Sequence, residues 1–307
     1  MAGRRDAAGR TGVSGRLGPP GLGRPPGRRK VEESEGARAA GGSRELEGAR
    51  ALVEDARRVV VVTGAGISAE SGVPTFRGED GLWKSHRPEE LATPGAFRRD
   101  PALVWGWYQW RRDLVARCAP NPGHRALAAF AARRPETRIV TQNVDGLHEL
   151  AAREHAERGG GEPAAPPMEL HGALFRNRCS GCGIHSSGRE KAVDASSAET
   201  LPRCPSCDGL LRPDVVWFGE GLDSALLEDA FEAARSADMC LVVGTSAVVQ
   251  PAASIPLGTL ESGGALVEVN PEPTPLSGRC RMTLRGPAGH VLPDLLEPGD
   301  PLPSSGS

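Results

Sequence analysis

The pattern of apolar positions along this chain of 307 residues predicts a set of short, buried strands. The run V-V-V-V-T at 59–63 is almost entirely apolar and is followed by glycine, which is typical of a strand buried on both faces of a parallel sheet. Similar runs predict three further strands, at 138–141, 240–243 and 265–269.

Helical periodicity fills segments before and between these strands. It runs from Leu46 to Arg57 and recurs at 102–117, 122–133 and 224–236. Because strands and helices alternate, the pattern predicts an α/β fold with a Rossmann-like, doubly wound parallel sheet. Residues from about 173 to 213 break the alternation and hold two pairs of cysteines, so we expect them to form a small inserted module.

The first 45 residues differ in composition from the rest. Residues 1–30 contain eight glycines, four prolines and seven arginines, with Asp6 as their only acid. Such a segment has too little apolar surface to offset its ordering entropy, so residues 1–45 are predicted to be a disordered tail before a domain at 46–302. Arginine is also abundant in transit peptides, but the glycines and prolines oppose an amphipathic helix. We expect a cytoplasmic location, with a mitochondrial one as the alternative.

Charge, hydropathy and cysteine content narrow the class of protein. A formal net charge of -2 gives no reason to expect binding to nucleic acid or to a membrane surface. No apolar run approaches the roughly 20 residues that a membrane-spanning helix needs. Seven cysteines are an odd number and four lie in close pairs, which argues against a disulfide framework and favours a reducing compartment.

A glycine-rich turn follows the first predicted strand. Within 64–69, G-A-G-I-S-A matches the G-x-G-x-x-G/A pattern of dinucleotide sites, in which small residues let the backbone approach a pyrophosphate at a helix N-terminus. A dehydrogenase of this type also carries an acid about 20 residues later, at the end of a second strand. Here that position holds Glu79 and Asp80 in an expected loop. The sequence therefore predicts a dinucleotide site but not a simple dehydrogenase.

The two cysteine pairs predict a metal site. Each pair has C-x-x-C spacing, and four thiolates in two such pairs favour tetrahedral zinc. Because four protein ligands leave no open position for water or substrate, the zinc is predicted to be structural. The ligands would be Cys179, Cys182, Cys204 and Cys207. The other three cysteines are expected to be buried structural thiols: Cys118, Cys240 and Cys280.

Several short motifs occur together along the chain. They are G-A-G-I-S, P-T-F-R-G, T-Q-N-V-D, L-H-G, the two C-x-x-C pairs, G-T-S and E-V-N, in that order. The set resembles the sirtuin family of NAD-dependent protein deacylases, over about residues 46 to 300. The resemblance implies that NAD is consumed as a co-substrate and that the partners are acylated-lysine proteins or peptides. Neither nucleic acid nor a membrane is expected as a partner, and the chain is expected to act as a monomer.

The resemblance also implies which residues contact NAD. The 64–69 turn would hold the phosphates, the G-T-S motif the adenosine side, and the T-Q-N-V-D motif the nicotinamide pocket. The predicted NAD-binding residues are Gly64, Ala65, Gly66, Ile67, Ser68, Ala69, Phe76, Arg77, Gln142, Asn143, Asp145, Gly244, Thr245, Ser246, Asn270 and Ala288.

The same resemblance implies that His171, in E-L-H-G, is the general base. A lone histidine is more often structural, and its place in this motif is what favours catalysis. The acyl oxygen of the modified lysine would attack C1′ of the nicotinamide ribose, and the imidazole would then take a proton from a ribose hydroxyl. The products would be nicotinamide, free lysine and an O-acyl-ADP-ribose.

The peptide would lie as an added strand between 215–220 and 246–250, against Val216, Trp217, Phe218 and Gly219.

One departure from the commonest sirtuin pattern bears on the acyl group. Thr75 stands where most members carry aspartate, a variant that accompanies the class III sirtuins, which accept acidic acyl groups. In class III sirtuins a Tyr-x-x-Arg pair lies at the bottom of the acyl pocket. In W-G-W-Y-Q-W-R-R, at 105–112, Tyr108 and Arg111 have this spacing on one helix face, and the resemblance implies the same place for them, with Ala92 as the small residue that keeps the pocket roomy. A guanidinium and a phenol can pair a distal carboxylate, so succinyl, malonyl or glutaryl removal is expected beside deacetylation. The alternative is an ordinary amphipathic helix.

Two other functions stay open on the sequence alone. One is an NAD-dependent protein mono-ADP-ribosyltransferase, which would use the same cleavage of NAD. The other is a non-catalytic module that senses NAD. His171 and the predicted peptide strand favour deacylation over the first, and the intact Asn143 and Asp145 argue against the second.

Overall fold

The computed structural model describes residues 43–74, 87–162, 164–188 and 192–297. Its strands are β1 (Val59–Thr63), β2 (Arg138–Thr141), β3 (Met168–Glu169), β4 (Gly172–Cys179), β5 (His185–Ser187), β6 (Leu211–Val215), β7 (Met239–Val243), β8 (Ala265–Val269) and β9 (Met282–Leu284). Its α-helices are α1 (Ser43–Asp55), α2 (Pro88–Leu91), α3 (Pro94–Arg99), α4 (Pro101–Val115), α5 (Pro122–Arg133), α6 (Leu147–Glu157), α7 (Ser224–Ser236), α8 (Ile255–Glu261) and α9 (Ala288–Leu296).

Six strands form one parallel sheet in the order β3-β2-β1-β7-β8-β9. From the central strand β1, the chain adds β2 and then β3 on one side of the sheet. From β7, which pairs with β1, it adds β8 and then β9 on the other side. The order of the strands therefore reverses between β1 and β7. In an open α/β sheet, the carboxyl ends of the strands at such a switch point enclose a crevice that binds ligands.

Strand β1 shows why this sheet is buried on both faces. Val59 and Val61 point to one side, where they pack with α1, α5 and α9 in a cluster that includes Leu127 and Leu295. Val60 and Val62 point to the other side and pack against α7 and α8. Because successive side chains of a strand point to opposite faces, a β-branched run fits only where helices cover both.

The α/β fold class and the predicted strands are confirmed. The four sequence-predicted strands coincide with β1, β2, β7 and β8, and the predicted helices coincide with α1, α4, α5 and α7 to within a few residues. Strands β3 and β9 and helices α6, α8 and α9 were not predicted. No helix in the described part of the chain has the length and apolar character needed to cross a membrane.

A second, three-stranded antiparallel sheet, in the order β5-β4-β6, interrupts the α/β alternation. The two cysteine pairs lie at the turns around it. Helix α4 packs near this sheet, and the indole Nε1 of Trp105 donates to the carbonyl oxygen of Leu211 at 2.9 Å. The module is therefore tied to the α4 side of the molecule by buried polar contacts as well as by packing.

Candidate active site

Five of the sequence motifs follow strands of the parallel sheet at its carboxyl edge. The glycine turn follows β1, T-Q-N-V-D extends from β2, E-L-H-G from β3, G-T-S from β7 and E-V-N from β8. Parallel strands bring their carboxyl ends to one edge, so the fold collects motifs that are up to about two hundred residues apart in sequence. They surround the switch-point crevice.

The turns after β1 and β7 touch through their backbones. The amide of Gly66 donates to the carbonyl oxygen of Gly244 at 2.7 Å. A Cβ at Gly66 would lie 2.6 Å from that oxygen, and one at Gly244 would lie 2.3 Å from the amide nitrogen of Ile67. Gly244 also has φ +57. Both positions therefore require glycine because two backbone turns meet there, and not only to admit a ligand.

Residues Ala65–Ser71 form a 3-10 helix after Gly64. Within it Ile67 and Ser68 are buried, whereas Ala65 is half-buried and Ala69 is exposed. The amides of Gly66 and Ile67 donate to the carbonyl oxygens of Gly244 and Gly64, and a Cβ at Gly64 would lie 2.8 Å from Cβ of Thr245. Small residues therefore let this turn pack closely against the turn after β7.

Ser68 lies at the centre of a buried polar cluster that joins two of the motifs. Its hydroxyl donates to Oδ2 of Asp145 at 2.7 Å and accepts from Nδ2 of Asn143 at 3.0 Å. Oδ1 of Asp145 accepts from the amide of Leu147, at the start of α6, at 2.9 Å. The structure thus brings together three of the predicted residues, and a carboxylate and an amide are fixed at the crevice floor by bonds to protein.

Gln142 joins two other strand ends. Its main-chain amide continues the β1 ladder by donating to the carbonyl oxygen of Thr63 at 3.0 Å. Its side-chain Nε2 donates to Oγ1 of Thr245 at 3.1 Å. The carbonyl oxygen of Gln142 is the partner of His171.

His171 follows β3 and is partly buried, and its Nδ1 lies 2.9 Å from the carbonyl oxygen of Gln142. A carbonyl only accepts, so Nδ1 carries the proton, and in the neutral ring the Nε2 lone pair is left for another partner. Burial lowers the pKa of His171 from its ordinary value, and the hydrogen bond to Gln142 opposes this only in part. The imidazole is therefore neutral near pH 7 and suited to accept a proton at Nε2.

Two buried histidines beneath the cluster were not predicted from the sequence. Nε2 of His124 lies 3.4 Å from the Ser68 hydroxyl. Nε2 of His148, which lies in α6, is 3.0 Å from the hydroxyl of Thr63 at the end of β1. Their rings meet edge to face, with centroids 5.0 Å apart. The only local signal is N-P-G-H at 121–124, where Asn121 and His124 form a capping box at the start of α5.

The acyl-pocket residues predicted from the sequence are partly assembled in one apolar cluster, which contains Ala92, Tyr108 and Trp217. Nε1 of Trp217 donates to the hydroxyl oxygen of Tyr108 at 2.8 Å. Burial raises the pKa of Tyr108 to about 12, and the nearby positive charge of Arg111 opposes that rise. Burial lowers the pKa of Arg111, with Tyr108 and Asp145 acting against it. Its guanidinium carbon lies 5.2 Å from the centroid of the Trp107 ring.

The predicted peptide-contacting segment after β6 is already tied to the protein by three successive amides. Val216 donates to the carbonyl oxygen of His171, Trp217 to Oε2 of Glu220, and Phe218 to the carbonyl oxygen of Ala92, each at 2.9 Å. The side chain of Trp217 is buried, so it contacts the molecule's interior and not a surface groove. Phe218 is exposed, as are Val248 and Val249 in the segment after G-T-S, and Gly219 has φ +87.

Of the five remaining predicted NAD contacts, three are described by the structure and two lie outside the described residues. Asn270 follows β8, and its side-chain amide donates to the carbonyl oxygen of Glu272 at 2.7 Å. Ala288 is buried at the start of α9, whose Gly289 amide donates to Oε2 of Glu70 at 2.6 Å. Ser246 is half-buried. Phe76 and Arg77, like Thr75, lie outside the described residues.

The four paired cysteines form a compact cluster suited to a structural metal ion. Their sulfur atoms all lie within 4.8 Å of one another. Sγ of Cys179 is 3.4 Å from that of Cys207, and Sγ of Cys182 is 3.6 Å from that of Cys204. A tetrahedron with Zn–S bonds of about 2.3 Å places its sulfur atoms about 3.8 Å apart, so the donor set and spacing fit zinc. Amides of Cys182 and Gly181 donate to Sγ of Cys179 and lower the pKa of that thiol to about 6.

The other three cysteines only partly match the sequence prediction. Cys240 is buried in the sheet, as expected, and burial raises the pKa of its thiol. Cys118 and Cys280 are partly exposed, because they lie at the end of α4 and before β9 instead of inside an element.

Comparison with known proteins agrees with this arrangement. The model of the Sir2 family matches residues 64–251. An NAD-dependent protein deacylase 1 of Pseudomonas aeruginosa is 50% identical over 254 residues, which cover 80% of this chain and 97% of the relative. A Sir2 homologue solved in complex with NAD has a TM-score of 0.72 and 44% identity, over 81% of this chain and 92% of the other. Sir2 solved with a p53 peptide and NAD+ has a TM-score of 0.70 and 28% identity, over 82% and 97%. The chain belongs to the Sir2 family and shares the fold of these solved Sir2 structures.

Proposed function

We propose that this chain is an NAD-dependent protein-lysine deacylase that removes negatively charged acyl groups, such as succinyl, malonyl or glutaryl, and also acetyl. The observation that carries the proposal is the hydrogen bond that holds the imidazole of His171 through Nδ1 against the Gln142 carbonyl, at the carboxyl edge of the parallel sheet. The domain would span 46–302, with the module at about 173–213 inserted in it. Relatives named as NAD-dependent protein deacylases support the same activity.

The crevice between β1 and β7 is the proposed NAD site. The close approach of Gly66 to Gly244 supports a site built from main-chain atoms, and the buried Ser68, Asn143 and Asp145 would hold the nicotinamide side. Gly244, Thr245, Ser246 and Asn270 would contact the adenosine side. Bound NAD would supply the ADP-ribosyl group that accepts the acyl group.

His171 is the proposed general base. Its Nε2 would accept a proton from a ribose hydroxyl, and the resulting positive charge would be stabilised because Nδ1–H remains bonded to the Gln142 carbonyl. A pKa below the ordinary value keeps the ring in the accepting form at neutral pH. The base therefore needs no activating partner beyond the carbonyl that orients it.

The peptide is proposed to lie between the segment after β6 and the segment after β7. The amides of Val216, Trp217 and Phe218 are already used within the protein, so an added strand would bond to the Gly219 region and to main-chain carbonyls. The exposed side chains of Phe218 and Val248 would cover the apolar stem of the lysine.

The preference for acidic acyl groups rests on Tyr108 and Arg111. Helical spacing puts both on one face of α4, and the pKa of each responds to the other. A carboxylate has acceptor oxygens for both a phenol and a guanidinium, whereas an acetyl methyl group has none. The zinc bound by the four cysteines would stabilise the inserted sheet and take no part in the reaction.

All seven cysteines are free thiols, and four of them form the metal cluster. Thiolate ligands persist in a reducing compartment, so we propose that the protein acts in the cytoplasm.

The proposal is tested by the products of one reaction. The full-length chain is incubated with NAD and either a succinyl-lysine or an acetyl-lysine peptide of the same sequence, and products are identified by mass spectrometry. We expect nicotinamide and an O-acyl-ADP-ribose in equal amounts, with a higher kcat/KM for the succinyl peptide. ADP-ribose attached to protein without an acyl-ADP-ribose would identify a transferase instead. Nicotinamide release that does not depend on peptide would contradict deacylation.

A further inference from the structure

A single buried hydrogen bond links the segment after β6 to the acyl end of the site. Nε1 of Trp217 donates to the hydroxyl oxygen of Tyr108 at 2.8 Å, and both side chains are almost fully buried. The sequence predicts that Trp217 lies against the peptide backbone. Its indole instead faces the side chain proposed to bind the acyl carboxylate.

The direction of this bond determines what the phenol can still do. An indole N–H is only a donor, so the Tyr108 oxygen must accept, and its own proton is not used in this contact. Among the residues that the structure describes, none accepts the Tyr108 hydroxyl proton. The phenol also stays protonated, since burial raises its pKa to about 12. Tyr108 therefore retains one O–H donor with a restricted direction.

Trp217 is itself held on three sides. The guanidinium carbon of Arg212 lies 3.3 Å from the centroid of its ring. Arg212 forms a bidentate ion pair with Glu220, at 2.6 and 2.9 Å. Glu220 also accepts a hydrogen bond from the main-chain amide of Trp217 at 2.9 Å. The ring of Phe97 packs at 5.3 Å between centroids. The direction of the indole N–H is thus fixed by a partly buried ion pair on one side and by ring packing on the other.

We propose that Trp217 is a positioning residue for acyl specificity: it occupies the acceptor side of the Tyr108 hydroxyl and so directs the phenol O–H toward the distal carboxylate of an acidic acyl group. This inference rests on the proposed function. A carboxylate can only accept, which makes it the partner for a hydroxyl whose oxygen is already engaged. An acetyl group ends in a methyl and gains nothing from the same arrangement.

The test compares Trp217→Phe with wild type on succinyl-lysine and acetyl-lysine peptides of one sequence. We expect the succinyl-to-acetyl ratio of kcat/KM to fall about fivefold to tenfold, the effect of one directed hydrogen bond. The matched control is Trp105→Phe, which removes another buried indole donor, bonded at 2.9 Å to the carbonyl oxygen of Leu211. The control should lower both activities together.

A double-mutant cycle separates positioning from packing. In a Tyr108→Phe background the phenol oxygen is gone, so Trp217→Phe should leave the succinyl-to-acetyl ratio unchanged. If Trp217→Phe does not fold, a benzothienylalanine at position 217 keeps the ring shape and removes only the N–H donor. The inference would be overturned if the succinyl-to-acetyl ratio were unchanged by Trp217→Phe or by benzothienylalanine at position 217. It would also be overturned if Trp217→Phe lowered the ratio as much in the Tyr108→Phe background as in wild type. A wild type without preference for succinyl-lysine would instead refute the proposed acyl preference, and the inference with it.

Discussion

Nε2 of His148 lies 3.0 Å from the hydroxyl of Thr63, beneath the floor of the crevice. This contact joins α6 to the end of β1, and the Thr63 hydroxyl in turn donates to Oγ1 of Thr141 at 2.8 Å. The histidine is buried, and burial lowers its pKa to about 4, although the charge of Asp145 opposes the shift. Burial also lowers the pKa of the neighbouring His124, to about 2.

The first prediction concerns stability in acid. In the unfolded chain these histidines take up a proton near pH 6.5, whereas in the folded chain His148 does so only near pH 4. The stability that the folded chain gains from keeping these histidines neutral is therefore complete above about pH 6.5. It is lost as the pH falls from there toward 4. Each histidine should lower the free energy of unfolding by about 1.4 kcal/mol per pH unit across that window.

Urea denaturation at pH 7.5, 6.0 and 5.0 measures this dependence. His148→Gln, which cannot be protonated, should be less stable at pH 7.5 but should lose less stability on acidification than wild type. Zinc release in acid would affect both proteins alike, so the difference between them isolates the histidine. Parallel stability curves would refute the assignment.

The second prediction concerns the pH dependence of the reaction. Because burial lowers the pKa of His171 below about 6.5, the acidic limb of kcat/KM should have its midpoint below that value. His171→Ala should abolish deacylation while calorimetry shows NAD binding changed by no more than a few-fold, since the base acts after the co-substrate is held. Near-normal turnover in this variant, or a loss of NAD binding equal to the loss of rate, would contradict the role.

The parallel strands could be predicted from sequence because each carries its own signal. A run such as 59–63 is apolar at every position, and only a strand covered by helices on both faces suits it. Strand β3 has only Met168 and Glu169, and its place is set by pairing with Val140 and Thr141 of β2. No local pattern encodes that pairing.

The candidate site was predictable only where a motif carried it. The strand-end motifs identified His171 and the Ser68 region, but the need for glycine at 66 and 244 arises from contact between two turns that are distant in sequence. His124, His148 and the inward-facing indole of Trp217 gave no comparable signal. Their partners lie between about 60 and 110 residues away, and only the folded chain brings them together.

The third prediction concerns the cysteine cluster. The purified protein should contain one zinc ion per chain, and Cys179→Ser should lose it together with thermal stability, because a structural site contributes its binding energy to folding. Elemental analysis and thermal unfolding measure the two quantities. Cys118→Ser, which alters a thiol outside the cluster, should keep both. A zinc-free Cys179→Ser protein with wild-type stability would refute a structural role.

The fourth prediction uses the two adjacent arginines of α4, whose surroundings differ. Arg112 is buried, with Nε donating to the carbonyl oxygen of Leu174 and Nη2 donating to Oδ1 of Asn177, each at 2.7 Å. It joins α4 to β4 and is structural. Arg111, one position earlier, lies on the Tyr108 side of the helix and is proposed to pair the acyl carboxylate.

Arg111→Met should therefore lower kcat/KM for succinyl-lysine by about 2–5 kcal/mol, or tens- to thousands-fold, because a buried charge loses its partner. Deacetylation should fall far less, since an acetyl group does not use the guanidinium. Tyr108→Phe should shift the ratio in the same direction but by about tenfold, because it removes one neutral donor. Arg112→Met is the matched control: both activities should fall together with the melting temperature. If Arg111→Met lowers both activities together with the melting temperature, as Arg112→Met should, the segment 105–112 is a packed helix with no part in acyl recognition.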